Sequence, residues 1–173
     1  MKKVTLIIIG ILIYSIFNGN MKIMAKENKE VKKYDVLAKT IPSVNDVYSA
    51  IFNWFAMFDH QKNVNLFIDY IDPNNINYDF LGEKIKSIEE FKSWYRNVEN
   101  NIQYNSHMVK DLKVEKTKDN QYNIQIVIEW KAKLYNEKII EKTINQNIEV
   151  RIMENKIYIV QIKATEETIN TGK

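Results

Sequence analysis

Between Tyr122 and Leu134 every second residue is apolar: Tyr122, Ile124, Ile126, Ile128, Trp130, Ala132 and Leu134. A period of two sustained over that length predicts a long β-strand with one face covered and the other wet. The segment 138–153 repeats the pattern, with Ile144, Gln146, Ile148, Val150 and Ile152 on one face. Glu154-Asn155 then predicts a tight hairpin into a strand over 157–164 that turns Tyr158, Val160 and Ile162 inward. Upstream, 107–116 reads as a strand whose alternation slips at Lys110 and Asp111, as a bulge would cause, and Asp119-Asn120 turns it into the next. These strands form an antiparallel meander.

Before residue 107 the period changes. Ser43 predicts a helix N-cap, with Asp46 in the first turn to complement the dipole. Val44, Val47, Ile51, Trp54, Phe55 and Phe58 follow at three- and four-residue steps, one wide apolar face that ends near Asp59 and His60. A second short helix is expected over 63–71, with Leu66, Phe67, Tyr70 and Ile71 inward. Asp72-Pro73-Asn74-Asn75 is a turn, and 76–81 reads as a first strand closed by Gly82. Ser87 and Glu90 have capping-box spacing and open a helix that buries Ile88, Phe91, Trp94, Tyr95 and Val98. Helices followed by a meander predict an α+β domain.

The amino-terminal end has another pattern. Lys2 and Lys3 precede an apolar run from Val4 to Phe17, broken by Asn18-Gly19-Asn20, the layout of a secretory signal peptide. The run is about 14 residues, short of the ~20 that span a bilayer comfortably. Residues 1–25 are therefore expected to be the signal peptide, cut after Ala25. A cut near Gly19 and an uncleaved anchor, the one route to a membrane, are the alternatives. Residues 26–42 read as a polar linker or short helix, 43–164 as the domain, and 165–173 as a tail that frays. The expected destination is the periplasm or the external medium.

Export changes the meaning of the charge. The chain has 25 basic and 22 acidic residues, and three of the bases, Lys2, Lys3 and Lys22, precede the expected cut. The remainder is close to neutral with the signs interspersed, which argues against nucleic acid as a partner. There is no cysteine, so disulfides, thiol nucleophiles and cysteine-ligated metals are excluded. The two histidines, His60 and His107, have no metal-ligand spacing, and neither a metal nor a cofactor is expected.

The order of elements resembles the nuclear transport factor 2-like superfamily, most closely its SnoaL-like and ketosteroid isomerase-like branches. The residues that carry the likeness are the Trp54–His60 helix exit, Tyr78-Asp79-Phe80-Leu81-Gly82, Ser87-Ile88-Glu89-Glu90-Phe91-Lys92-Ser93-Trp94-Tyr95 and His107-Met108-Val109. The resemblance implies a cone: a curved mixed sheet wrapped around three helices, with an apolar cavity at the open end. It also implies a small hydrophobic ligand or a protein partner, and a homodimer through the outer sheet face.

Candidate chemistry follows from the same comparison. Asp79, three residues before Gly82, resembles the general base of the isomerase branch, although strict alternation turns it outward while Ile76, Tyr78 and Phe80 point in. That branch's oxyanion-stabilising tyrosine is missing: Phe52 or Phe55 lies near its place, and Tyr48 is a turn or more earlier. His107 resembles the histidine of several SnoaL-like members and is a candidate for proton transfer. His60 reads as a helix C-cap. Tyr48, Trp54, Phe55, Tyr78, Trp94 and Trp130 are candidate cavity walls, aromatic stripes that by default are core. Gln146, alone on an apolar face, must find a partner or meet the cavity. Three functions are consistent with these residues. One is an exported binding domain, another an isomerase, cyclase or hydrolase using Asp79 or His107, and the third an assembly subunit of an envelope complex.

Overall fold

A computed structural model of the chain describes residues 42–167. The expected signal peptide and linker, residues 1–41, and the end of the tail, residues 168–173, lie outside the described residues. The elements are α1 (Val44–Asp59), α2 (Val64–Ile68), β1 (Asn77–Phe80), β2 (Glu83–Ile85), α3 (Ile88–Asn101), β3 (Ile102–Lys118), β4 (Gln121–Leu134), β5 (Ile139–Met153) and β6 (Lys156–Glu166). The strands form one curved sheet in the order β2-β1-β6-β5-β4-β3. It is mixed: β1 runs parallel to β6, and every other pairing is antiparallel. No helix of the described residues is long and apolar enough to cross a membrane.

The first helix forms where its cap dictates. Ser43 and Asp46 make a full capping box: the Asp46 N–H donates to Ser43 Oγ, and the Ser43 N–H donates to Asp46 Oδ2 at 2.6 Å. The Ser43 hydroxyl donates to the same carboxylate at 2.7 Å. These bonds favour the charged carboxyl and hold its pKa below the ordinary value, so the cap contributes stability above the normal carboxylate range and loses it as pH falls through the folded pKa. Ser43→Ala should cost about 1 kcal/mol at neutral pH. Thermal melts of wild type and variant should converge on acidification, and a constant difference at every pH would contradict the box.

At α3, Ser87 caps the Glu90 N–H at 3.2 Å, but the Glu90 carboxylate accepts from the Lys86 N–H at 2.6 Å, one residue earlier than a capping box requires. The apolar stripe of α1 is buried from Val47 to Phe58, whereas Val44 is exposed.

Between the helices the sequence expectations need correction. The second helix is only Val64–Ile68, capped by Asn63, and Leu66 faces solvent. Phe67 and Ile71 are buried as expected, and Ile71 bridges to Ile159. The first strand stops at Phe80. Leu81 (φ +57°) and Gly82 (φ +102°) reverse it into β2, whose three residues are too few to show a period.

In the meander the alternation is realised almost throughout. On β4 Tyr122, Ile124, Ile126, Ile128 and Ala132 are buried, and on β5 Ile144, Gln146, Ile148, Val150 and Ile152 are. Glu154 and Asn155, both at positive φ, form the tight β5–β6 turn. The expected slip falls between Val109 and Asp111, leaving Lys110 as the bulge. A further bulge, where the β5–β6 register shifts between Glu149 and Val150, takes up Val160, so Ile159, and not Tyr158, joins the inner face. Bulges bend a strand and increase its twist, which is how this sheet closes over the helices. β3 begins at Ile102, five residues before the strand expected from sequence, because α3 passes into it without a loop.

One core joins the two layers. Trp54 is fully buried and meets Phe58, Phe67, Tyr78 and Phe91 at ring-centroid distances of 5.2–6.1 Å. Ile124, Ile126, Ile128 and Ile148 close the sheet side of the same cluster.

Candidate functional site

The packing stops short of filling the space between α1, α3, the β1–β2 turn and the inner face of the sheet. It leaves a cavity of about 240 Å³. Its aromatic walls are Trp54, Phe55 and Phe58 of α1, Phe80 of β1, Trp94 of α3 and Trp130 of β4. Phe80 and Trp94 stack face to face at 4.4 Å with 14° between the ring planes. Leu81, Val98, Ile102, Ile144 and Ala164 add aliphatic surface. Three polar side chains, Asn105, His107 and Gln146, complete the lining.

His107 is held by the end of α1. That helix packs on β3 and stops at Asp59, so the Asp59 carboxylate leaves the last turn directly toward the strand. Asp59 Oδ1 lies 2.6 Å from His107 Nδ1, and Oδ2 accepts the His107 backbone N–H at 3.2 Å. An ionised carboxylate only accepts, so Nδ1 carries the hydrogen and the neutral ring keeps its lone pair on Nε2. Both partners are largely withdrawn from water, at 13% and 27% side-chain exposure for His107 and Asp59. Phe55, Phe58 and Trp130 pack around the imidazole at 5.5, 5.9 and 6.4 Å between ring centroids. The ring is therefore fixed in position and tautomer. His60, the next residue, occupies the helix C-cap as expected.

Asn105, two residues before His107 on the same strand face, accepts the Trp130 indole N–H at 2.6 Å. Its own amide N–H reaches the Phe58 carbonyl only at 3.5 Å, a long bond. Gln146 is 7% exposed, and its Oε1 has no hydrogen-bond partner among the described residues. An unpaired buried amide oxygen costs about 1–3 kcal/mol.

The structure brings together six of the expected site residues: Trp54, Phe55, Trp94, His107, Trp130 and Gln146 all line the cavity. Three others lie elsewhere. Asp79 stands on the outward side of β1, where its Oδ1 accepts the Gly82 N–H at 2.8 Å, and it does not line the cavity. Its register neighbours are Lys84 and Lys163, so the alternation that turns it outward prevails over its resemblance to a general base. Tyr78 is fully buried in the core, where its hydroxyl donates to the Ile159 carbonyl at 2.6 Å. Burial, reinforced by the Asp72 charge, pushes that phenol's pKa up and keeps it a donor. Tyr48 is half-buried near the start of α1, away from the cavity.

Asp59 and Asn105 were not singled out by sequence. The signal for Asn105 was available: at i−2 from His107 it shares that residue's strand face. Asp59 could not be paired with a residue 48 positions later without the fold. Among the described residues no group of three His, Asp or Glu side chains is placed to hold a metal.

No protein-family model matches this chain, and no curated protein is significantly similar to it in sequence. Solved structures are similar. A candidate scytalone dehydratase from Novosphingobium aromaticivorans superposes with a TM-score of 0.67 at 7% identity, over 72% of this chain and 84% of its own. A nuclear transport factor 2-like superfamily protein from Salmonella enterica serovar Typhimurium gives 0.66 at 8% identity, over 75% and 94%. A candidate dehydratase of that same family from Streptomyces avermitilis gives 0.63 at 10% identity, over 72% and 96%. At such identities the likeness is one of fold. The chain has the nuclear transport factor 2-like fold.

Proposed function

We propose that the protein binds a small, mostly apolar carbonyl compound in the cavity and that His107, held by Asp59, moves a proton on it. One observation carries this reading: His107, paired with a carboxylate that is not itself part of the lining, stands in the wall of an aromatic-lined cavity. An engineered apolar cavity of about 150 Å³ takes up benzene, so 240 Å³ suits a molecule of one or two rings. His107 Nε2 takes a proton from the carbon next to the carbonyl: the C–H bond breaks, an N–H bond forms, and the electron pair moves to the carbonyl oxygen as an enolate. Asp59 keeps the ring in the accepting tautomer and stabilises the imidazolium that results. Asn105, with its loosely held N–H on the same strand face, supplies a donor for the enolate oxygen. Return of the proton at another atom gives isomerisation, and departure of a β-hydroxyl gives dehydration. Two of the similar structures are candidate dehydratases, which supports proton abstraction as the first step. The amino-terminal run after Lys2 and Lys3 supports placing this activity outside the cytoplasm.

A second reading, binding without turnover, is favoured by the missing tyrosine: Phe55 lines the cavity on α1 and Phe52 is exposed. Incubating the full chain with 2-tetralone in D₂O, followed by NMR, separates the two. Exchange of the α-hydrogens well above the buffer rate is expected. Binding without exchange would leave the second reading, and no binding of any one- or two-ring probe would remove both.

A further inference from the structure

Proton transfer at His107 leaves one polar group in the cavity without a role. Gln146 extends from β5 with Ile126 and Ala164 as its register neighbours, neither of which has a side chain able to bond to an amide. The other polar groups of the lining are engaged: Trp130 and Asn105 with each other, His107 with Asp59. Among the described residues no Lys, Arg, Asp or Glu lines the cavity. Beyond the His107 Nε2 and the Asn105 N–H, both assigned above to the reacting carbonyl end, a buried amide with an orphaned oxygen is thus the one neutral hydrogen-bonding group that the described residues still offer to an occupant.

The strand register fixes where it stands. His107 lies opposite Trp130 on β4, and Gln146 lies opposite Ile126 on the other side of the same strand. Four residues along a strand is about 13 Å. The two residues are thus offset by about that length along the sheet, on the strands either side of β4, and both line the cavity. An occupant that reaches both is elongated and carries polar groups at both ends.

From this placement we infer that Gln146 determines specificity. Resting on the reading of His107 given above, it reads an uncharged hydroxyl or carbonyl at the end of the ligand remote from the carbon that His107 deprotonates. The amide serves either group, because it has a donor end and an acceptor end and can present whichever the ligand requires. A carboxylate is rejected. Among the described residues no Lys or Arg lines the cavity to compensate a buried anion, and Asp59 already balances the charge of a protonated His107.

Binding of three probes that share one frame to the full chain tests this: naphthalene, 2-naphthol and 2-naphthoate, titrated by quenching of tryptophan fluorescence. Wild type should bind 2-naphthol about tenfold more tightly than naphthalene, one hydrogen bond's worth, and 2-naphthoate at least tenfold more weakly than either. Gln146→Leu should bring 2-naphthol and naphthalene within about twofold of each other while still binding naphthalene. Gln146→Met, closer in length, repeats the measurement if the leucine variant melts early. In His107→Asn the preference for 2-naphthol should survive. A preference that persists in both Gln146 variants, one that disappears only with His107, or 2-naphthoate binding as tightly as 2-naphthol would each overturn the inference. Naphthalene binding with no preference for the hydroxyl, as an ordered water permanently held by Gln146 would cause, overturns this inference alone. Failure of wild type to bind any of the three overturns the cavity reading and this one with it.

Discussion

His107→Asn should lower the protein-catalysed exchange of 2-tetralone α-hydrogens by about 10²–10⁴-fold, the usual contribution of a positioned acid–base group. Asparagine keeps a polar side chain but has no nitrogen lone pair able to accept a proton, so the loss belongs to the proton-transfer step. Asp59→Asn should lose less, about 10²-fold. The amide oxygen can still accept from Nδ1–H or from the His107 backbone, but the negative charge that balances the imidazolium is gone. Asp79→Asn should leave exchange unchanged, since that carboxylate serves only the Gly82 turn. Thermal melts taken alongside separate chemistry from folding, because His107 also packs against Phe55 and Phe58. Wild-type exchange rates in the His107 variant would remove the histidine from the mechanism. So would a drop that simply tracks the unfolded fraction.

Trp54→Ala should destabilise the domain by about 3–5 kcal/mol, a large part of the roughly 5–15 kcal/mol that holds a domain together. Three features place the effect at the high end. The indole is fully buried, it makes edge contacts with Phe58, Phe67 and Tyr78, and it is tilted against Phe91. It also lines the cavity, so its removal enlarges a space that is already hollow, and neighbours anchored on rigid strands cannot collapse into it. A fall in Tm of about 10–20 °C is expected for a domain of this size. Trp54→Phe, which keeps an aromatic ring in place, should recover most of that fall. A melting point for the alanine variant within a few degrees of wild type would mean that Trp54 is a cavity wall only and no keystone of the core.

How far the sequence reaches differs between the core and the site. The meander is legible because apolar residues such as Ile124, Ile126 and Ile128 recur at every second position, and one covered face leaves them a single register. The α1 stripe is legible for the same reason at the helical period. β2 is not, because Glu83-Lys84-Ile85 is too short to carry a period. The beginning of β3 was hidden for a more informative reason. The inward position 105 there holds an asparagine in place of an apolar residue, just ahead of His107 where the expected strand begins, and a pattern reader takes such a polar residue for the end of burial. The strand looks broken where it faces the cavity, so the gap in the pattern is itself the mark of the site.

Local periodicity and cap chemistry were enough to specify α1, α3 and the long strands of the meander, most of the faces they bury, that Asp79 would turn outward, and that Gln146 would need a partner. These are properties of neighbours along the chain. The pairing of Asp59 with His107, the burial of Tyr78 in the core away from the cavity, and the meeting of Gln146 and His107 in one cavity came from folding. Each depends on how a helix end, a turn and two bulged strands meet in space, and no spacing along the chain encodes that meeting.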